Sequence, residues 1–294
     1  MGSVVAIDLG GTAIKAGRYD GQGRELASAT IATPRPSTPA AVLAALSALV
    51  AGLDPERAAV ALGVGVPGLV DVGGRLVYTC INLDGWRDVP LARLLEEKTG
   101  LATVLGNDAN LAGLGENWLG SASRFGHVIF ITLGTGVGGS LIHNRRLFTG
   151  AHGLGGELGH LVFDPRGPRC NCGSSGCLEQ FIAAPAIARR FGLDPAVLGE
   201  RAAAGDPQAL ECWRQVGRDL GYALVGLVNL LDPEAVVIGG GVSKSCPYFL
   251  PEAEAEIDRR SIIKRPWLQL LQAELGNEAG CIGAARLAFL TFTS

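Results

Sequence analysis

The 294-residue chain is 48% hydrophobic and 18% charged, enough apolar content for two cores of ordinary size, and its 25 basic residues are scattered through a formal net charge of −3. No basic run of five or six residues is present, which argues against a nucleic-acid partner, and the longest nearly apolar stretch, AAVLAALSALVAGL at 40–53, is too short and alanine-rich to span a bilayer. The N-terminus lacks a basic region, an apolar signal core and a cleavage site, and an odd set of seven cysteines fits a reducing compartment, so the expectation is a soluble cytoplasmic protein with no membrane partner.

In chain order, VVAIDLGGT (4–12) reads as a strand that ends in Asp8 and a Gly-Gly-Thr turn, followed at hairpin spacing by AIKAGRYD (13–20). A helix is predicted at 38–53 and another at 88–99, with Asp88 as N-cap, Pro90 in the first turn and Gly100 as the stop. The strand LATVLG (101–106) then delivers NDAN (107–110) to the head of a further helix. VIFITLGTG (128–136) and GGSLIHNRRLF (138–148) repeat the opening strand, turn and strand about 120 residues later. Helices are predicted near 184–191, 206–231, 248–260 and 279–291, with a strand at 235–241. This interleaving predicts an α/β fold, and the duplication predicts two similar lobes with a cleft between them. The expected division is 1–110 and 111–279, with the last helix, 280–294, rejoining the N-terminal lobe.

Three glycine turns stand at strand ends: Gly10 to Thr12, Gly134 to Gly139 and Gly239 to Gly241. Backbone N–H groups converging there can cradle phosphate oxygens; any one turn alone is better read as a hairpin, whereas three in a duplicated fold favour phosphate. GTGVGG (134–139) also fits G-x-G-x-x-G, but its continuation SLIHNRRLF looks like a strand where a dinucleotide fold needs a helix, and no P-loop motif is present.

Asp108 follows a strand and heads a helix, so by itself it reads first as an N-cap and second as a base able to take a proton from a hydroxyl. Asp8, beside a turn suited to phosphate, is either a site for a nucleotide-borne Mg²⁺ or a solvated turn residue. His160, Cys170, Cys172 and Cys177 form H-x9-C-x-C-x4-C, four ligands that would close the sphere of a structural zinc. A disulfide would strand one cysteine of this cluster, and a nucleophilic cysteine would need neither neighbour.

Taken together, DLGGT (8–12), GVGVPGLVD (63–71), NLDGW (82–86), GNDAN (106–110), TLGTGVGG (132–139), GELGH (156–160), CNCGSSGCLE (170–179) and VVIGGGV (236–242) resemble the ROK family of sugar kinases and regulators, of the hexokinase/actin-like superfamily. The resemblance implies lobes of actin-like, ribonuclease H-like fold and an ATP-dependent hexose kinase, most readily a glucokinase acting on the 6-hydroxyl, with Asp108 as general base. It implies that Asp8, Gly10, Gly11, Thr12, Thr135, Gly136, Gly239, Gly240 and Gly241 hold ATP and Mg²⁺. Gly68, Asn82, Asn107, Asp108, Glu157, His160 and Glu179 match hexose-binding positions, and the zinc ligands would be His160, Cys170, Cys172 and Cys177. The family also suggests a homodimer. An N-acetylhexosamine kinase, a fructokinase or mannokinase, and a non-catalytic sugar sensor remain as alternatives. The chain departs from the pattern at Ala13 and Ser140, where a polar residue and a glycine are usual, and with seven residues ahead of Asp8 the expectation is a protein without the DNA-binding module of the family's repressors.

Overall fold

Val4, Val5, Ala6 and Ile7 are all fully buried, as befits a strand covered on both faces, and their run is central to the first sheet. The computed structural model describes residues 2–80 and 82–293. Its first elements are β1 (Ser3–Leu9), β2 (Ala13–Tyr19), β3 (Glu25–Ala32), α1 (Pro39–Leu53) and β4 (Ala59–Val66). A small antiparallel sheet follows from β5 (Leu69–Val70), β6 (Val77–Thr79) and β7 (Arg87–Val89), then α2 (Leu91–Thr99), β8 (Ala102–Asn107) and α3 (Asp108–Trp118). The main sheet runs β3-β2-β1-β4-β8, with β1 and β2 an antiparallel hairpin and β1, β4 and β8 parallel. The carboxyl ends of those three parallel strands therefore share one edge, the place where open α/β sheets gather their ligands.

Next come β9 (Val128–Leu133), β10 (Val137–His143), β11 (Arg146–Leu147), α4 (Glu179–Ile182), α5 (Ala184–Phe191), α6 (Pro195–Ala203) and α7 (Pro207–Leu231). The chain closes with β12 (Ala235–Gly239), α8 (Cys246–Arg260), β13 (Gln269–Gln272) and α9 (Ala279–Phe292). Strands β10, β9, β12 and β13 lie side by side in that order, the first pair antiparallel and the rest parallel. This is the order and sense of β2, β1, β4 and β8, so the predicted duplication is a real repeat of topology and the α/β expectation is borne out.

Two compact units result, one running to Ser123 and taking in Arg145–Gly156 and the chain from Asn277 on, the other made of Arg124–Asn144 and Glu157–Gly276. The first unit thus extends beyond residue 110, because α3 packs on α9. A Cβ on Gly283 would lie 1.8 Å from the Leu111 carbonyl oxygen and one on Gly115 would lie 2.3 Å from that of Ala279, so these helices touch backbone to backbone. Residues 145–156 also belong with the first unit, where Gly153 abuts the backbone of Val70 and Val72. The unit cores are built from separate clusters, one around Ile7, Leu46, Leu62 and Leu91, the other around Ile131, Trp213, Leu220 and Phe249.

Among the described residues, four of the nine α-helices start at a side-chain cap: Thr38, Asn107, Asp194 and Asp206. Asp206 caps α7 by accepting from the Gln208 and Ala209 N–H groups at 2.9 and 3.3 Å, and Gly100, at φ 75°, ends α2 as predicted. Asp88 is a correction: it sits in β7 at φ 49°, since Val89 pairs with Val77, and Pro90 takes the cap position of α2. Helix α6, capped by Asp194, lies outside the helices expected from the sequence, and the strand expected at 235–241 ends at Gly239. Among the described residues no helix is long and apolar enough to cross a membrane.

Candidate active site and metal cluster

In the first unit, Asp8 is the penultimate residue of β1, and Asp108 is the first residue of α3, directly after β8. The capping role that competed for Asp108 belongs to Asn107: its Oδ1 accepts from the Asn110 N–H at 3.1 Å, and its Nδ2 donates to the Gly68 carbonyl at 3.2 Å. One side chain thereby ties the loop after β4 to the head of α3. The Asp108 carboxylate accepts from the Ala109 N–H at 2.8 Å.

Burial, then the charge of Asp108, push the Asp8 carboxyl from 3.8 up to about 6, with Glu278 adding to the rise and Lys15 opposing it. The first turn of α9 backs this carboxylate so closely that a Cβ on Gly280 would lie 2.7 Å from Asp8 Oδ2. Burial and the Asp108 charge also raise the Cys80 thiol to about 12. Two acids at one sheet edge, one of them strained toward neutrality, form a place where a divalent cation would relieve repulsion.

The turn Gly10 to Thr12 lies at the same edge. Thr33 holds it through Oγ1 to the Gly10 carbonyl at 2.7 Å and its N–H to the Thr12 carbonyl at 2.9 Å, and Arg35 Nη2 donates to the Gly11 carbonyl at 2.8 Å. The Asn82 side chain flanks Gly11. Sequence reasoning missed Thr33 and Arg35; only the pairing of Ala13 with Ala32 brings the end of β3 to this turn.

In the second unit, β9 and β12 are parallel neighbours, so the turns that follow them, Gly134 to Gly136 and Gly239 to Gly241, meet at one edge. Gly240 has φ 82° and approaches so closely that a Cβ would lie 2.3 Å from the Leu133 carbonyl oxygen, a position only glycine fills without strain. Glu179 Oε2 accepts from the Val137 N–H at 3.0 Å, and the Ala184 N–H donates to the Gly134 carbonyl at 2.8 Å, which fixes the turn carrying Thr135 and Gly136.

His160, Cys170, Cys172 and Cys177 come together as predicted, their ligand atoms all within 4.8 Å of one another. His160 Nδ1 is 3.7 Å from Cys170 Sγ, and the Cys172 and Cys177 sulfurs are 3.5 Å apart, far beyond a disulfide bond. Zinc–sulfur bonds of about 2.3 Å in a tetrahedron set an edge of about 3.8 Å, so these donors fit a closed four-ligand site in both chemistry and spacing. Tight turns wrap the chain here: Cys177 bridges to Val162, and the Cys170 N–H donates to the Ser174 carbonyl at 2.9 Å. Two carboxylates flank the cluster, with His160 Nε2 4.0 Å from Glu157 Oε2 and Cys170 Sγ 3.8 Å from Glu179 Oε1. The other four cysteines are free, with Cys80, Cys246 and Cys281 buried and Cys212 half-buried.

The sequence pattern of the ROK family matches residues 4–290. The chain belongs to the ROK family. This ROK protein is 34% identical to a glucokinase of Streptomyces coelicolor, over 98% of each chain. It is also 34% identical to an N-acetylmannosamine kinase of Shigella flexneri, over 97% of this chain and 98% of that one. Among solved structures, a ROK family glucokinase from Streptomyces griseus in complex with glucose and AMPPNP matches with a TM-score of 0.81 and 36% identity, covering 98% of this ROK protein and 100% of that chain.

Proposed function

We propose that this ROK protein is an ATP-dependent hexose kinase, and specifically a glucokinase that transfers the γ-phosphoryl group to the sugar 6-hydroxyl. The observation that carries the reading is the pairing of Asp8 and Asp108 at the carboxyl edge of β1, β4 and β8, with Asn107 taking over the capping role and so leaving Asp108 a chemical one. The Streptomyces griseus relative, crystallised with glucose and AMPPNP, supports the substrate pair.

In this reading Asp108 accepts the proton of the attacking hydroxyl, a contribution of about 10²–10⁴-fold in rate. Asp8 holds the Mg²⁺ that accompanies ATP, while Gly11, Thr12, Thr135, Gly136 and Gly239 to Gly241 offer N–H groups or, at the two threonines, hydroxyls to the nucleotide, and Gly10, whose own N–H closes the turn on the Ala13 carbonyl at 2.9 Å, lets the backbone approach it. When bound, the magnesium ion supplies neutralising charge on the transferred phosphoryl group. Gly68, Asn82, Asn107, Glu157, His160 and Glu179 are assigned to the hexose with Asp108. A sugar needs many acceptors and donors, and carboxylates, carboxamides and an imidazole provide both. The four-ligand cluster is assigned to zinc in a structural role, with no position left open for water. A homodimer is proposed from the family resemblance, to be read by light scattering of the eluting protein.

The equal identity to an N-acetylmannosamine kinase favours an N-acetylhexosamine as the second reading. A coupled ADP-release assay across glucose, mannose, fructose, N-acetylglucosamine and N-acetylmannosamine decides between them. The expected result is the highest kcat/KM with glucose; preference for an N-acylated sugar would move the assignment, and no ADP release with any sugar would make this chain a sugar sensor.

A further inference from the structure

His127 immediately precedes β9 and His143 closes β10, and the register pairs their neighbours Val128 and Ile142. The two histidines therefore face each other across the open end of the hairpin whose closed end is the turn Gly134 to Gly136. Their Nδ1 atoms are 3.0 Å apart, and the rings meet edge to face with centroids 4.6 Å apart. His143 is exposed and His127 half-buried. The backbone at His127 is held in place: Glu234 Oε2 accepts from the N–H groups of Gly126 and His127 at 2.6 and 2.8 Å, and the Glu234 N–H donates to the His127 carbonyl at 2.9 Å. Neither histidine belongs to the cluster around His160 or to the proposed catalytic groups.

Two imidazole nitrogens this close share either a proton or a cation. Metal–nitrogen bonds of about 2.0–2.1 Å place cis ligands of a square or octahedral centre about 2.9 Å apart, and ligands of a tetrahedral centre about 3.3–3.4 Å apart. The observed 3.0 Å matches the first arrangement. We propose that His127 and His143 form a two-imidazole site for a divalent transition-metal ion of tetragonal or octahedral preference, Ni²⁺ or Cu²⁺, with water completing the sphere. Binding requires both Nδ1 atoms to be unprotonated, so the proton shared between them leaves to solvent or moves to Nε2. Because the ligands stand on opposite strands, a bound ion clips the base of the hairpin that carries Thr135 and Gly136, and an ion bound by the folded chain alone raises its stability.

The test is a calorimetric Ni²⁺ titration, with a parallel Tm measurement, of zinc-supplied protein as wild type, His127→Ala, His143→Ala and the control His152→Ala. Chelation by two linked groups predicts affinity about tenfold or more above that of either variant, and a Ni²⁺-dependent rise in Tm that both variants lose and the control keeps. Ni²⁺ uptake and a Tm rise that persist unchanged in His127→Ala and His143→Ala, as for an ion entering the cysteine cluster, would overturn the proposal. Kinase turnover plays no part in the readout, so the outcome is independent of the function proposed above.

Discussion

Asp108 raises the pKa of Asp8 although β4 lies between β1, which carries Asp8, and β8, which delivers Asp108 to the head of α3, because both carboxylates stand at the carboxyl edge of the parallel strands β1, β4 and β8. Burial is the larger cause, and together they leave the Asp8 carboxyl near 6. The first unit is thus destabilised at the point proposed to bind Mg²⁺, as expected of a site whose charge balance is completed by its ligand.

This relation has a pH dependence with a definite sign. The Asp8 pKa is raised on folding, from 3.8 to about 6, so the folded chain binds more protons than the unfolded one between those values, and stability falls as pH rises through that window. The full penalty, about 3 kcal/mol at 1.36 kcal/mol per unit, applies above the folded pKa and vanishes below the unfolded one. Asp8→Asn should therefore raise the Tm of nucleotide-free protein at pH 7.5, with a gain that shrinks toward pH 4, while abolishing phosphoryl transfer. A gain equal at both pH values would remove the electrostatic explanation.

The contact of α3 with α9 makes a second prediction. Gly283→Ala places a methyl group 1.8 Å from the Leu111 carbonyl oxygen, and the helices must part. Overpacking of this kind costs about 1–3 kcal/mol, so Tm should drop by several degrees, and kcat should drop too because α3 carries Asp108 at its head. Wild-type Tm by scanning calorimetry would show that the helices separate at no penalty.

Which parts of this were legible in the sequence follows from the range of the forces involved. Gly100 announces the end of α2 because caps are local, and the apolar runs at Val4 and Val128 announce buried strands for the same reason. Asp88 carries the same local signal and misleads, since the pairing of Val89 with Val77 overrides it. The reach of the first unit to Ser123 depends on Gly115 and Gly283, far apart in the chain, and no local pattern marks that contact. The cysteine cluster was legible because its ligands sit on one short segment, whereas Thr33 and Arg35 were not, being brought to the Gly10 turn by strand pairing.

For that cluster, purified protein should contain about one zinc per chain, a stoichiometry set by its four ligands. Cys172→Ser should lose the metal and, with it, the fixed positions of His160 and Glu179, so glucose affinity measured by calorimetry should fall. Metal-free protein with full glucose affinity would separate the cluster from the sugar.

The most direct measurement is the kcat of Asp108→Asn beside its glucose affinity. Asn107 keeps the cap of α3, so the variant should fold with a near-normal Tm and still bind glucose, while kcat falls about 10²–10⁴-fold as the proton acceptor is lost. A kcat near that of the wild type would contradict the assignment of Asp108 as the base, and with it the proposed mechanism.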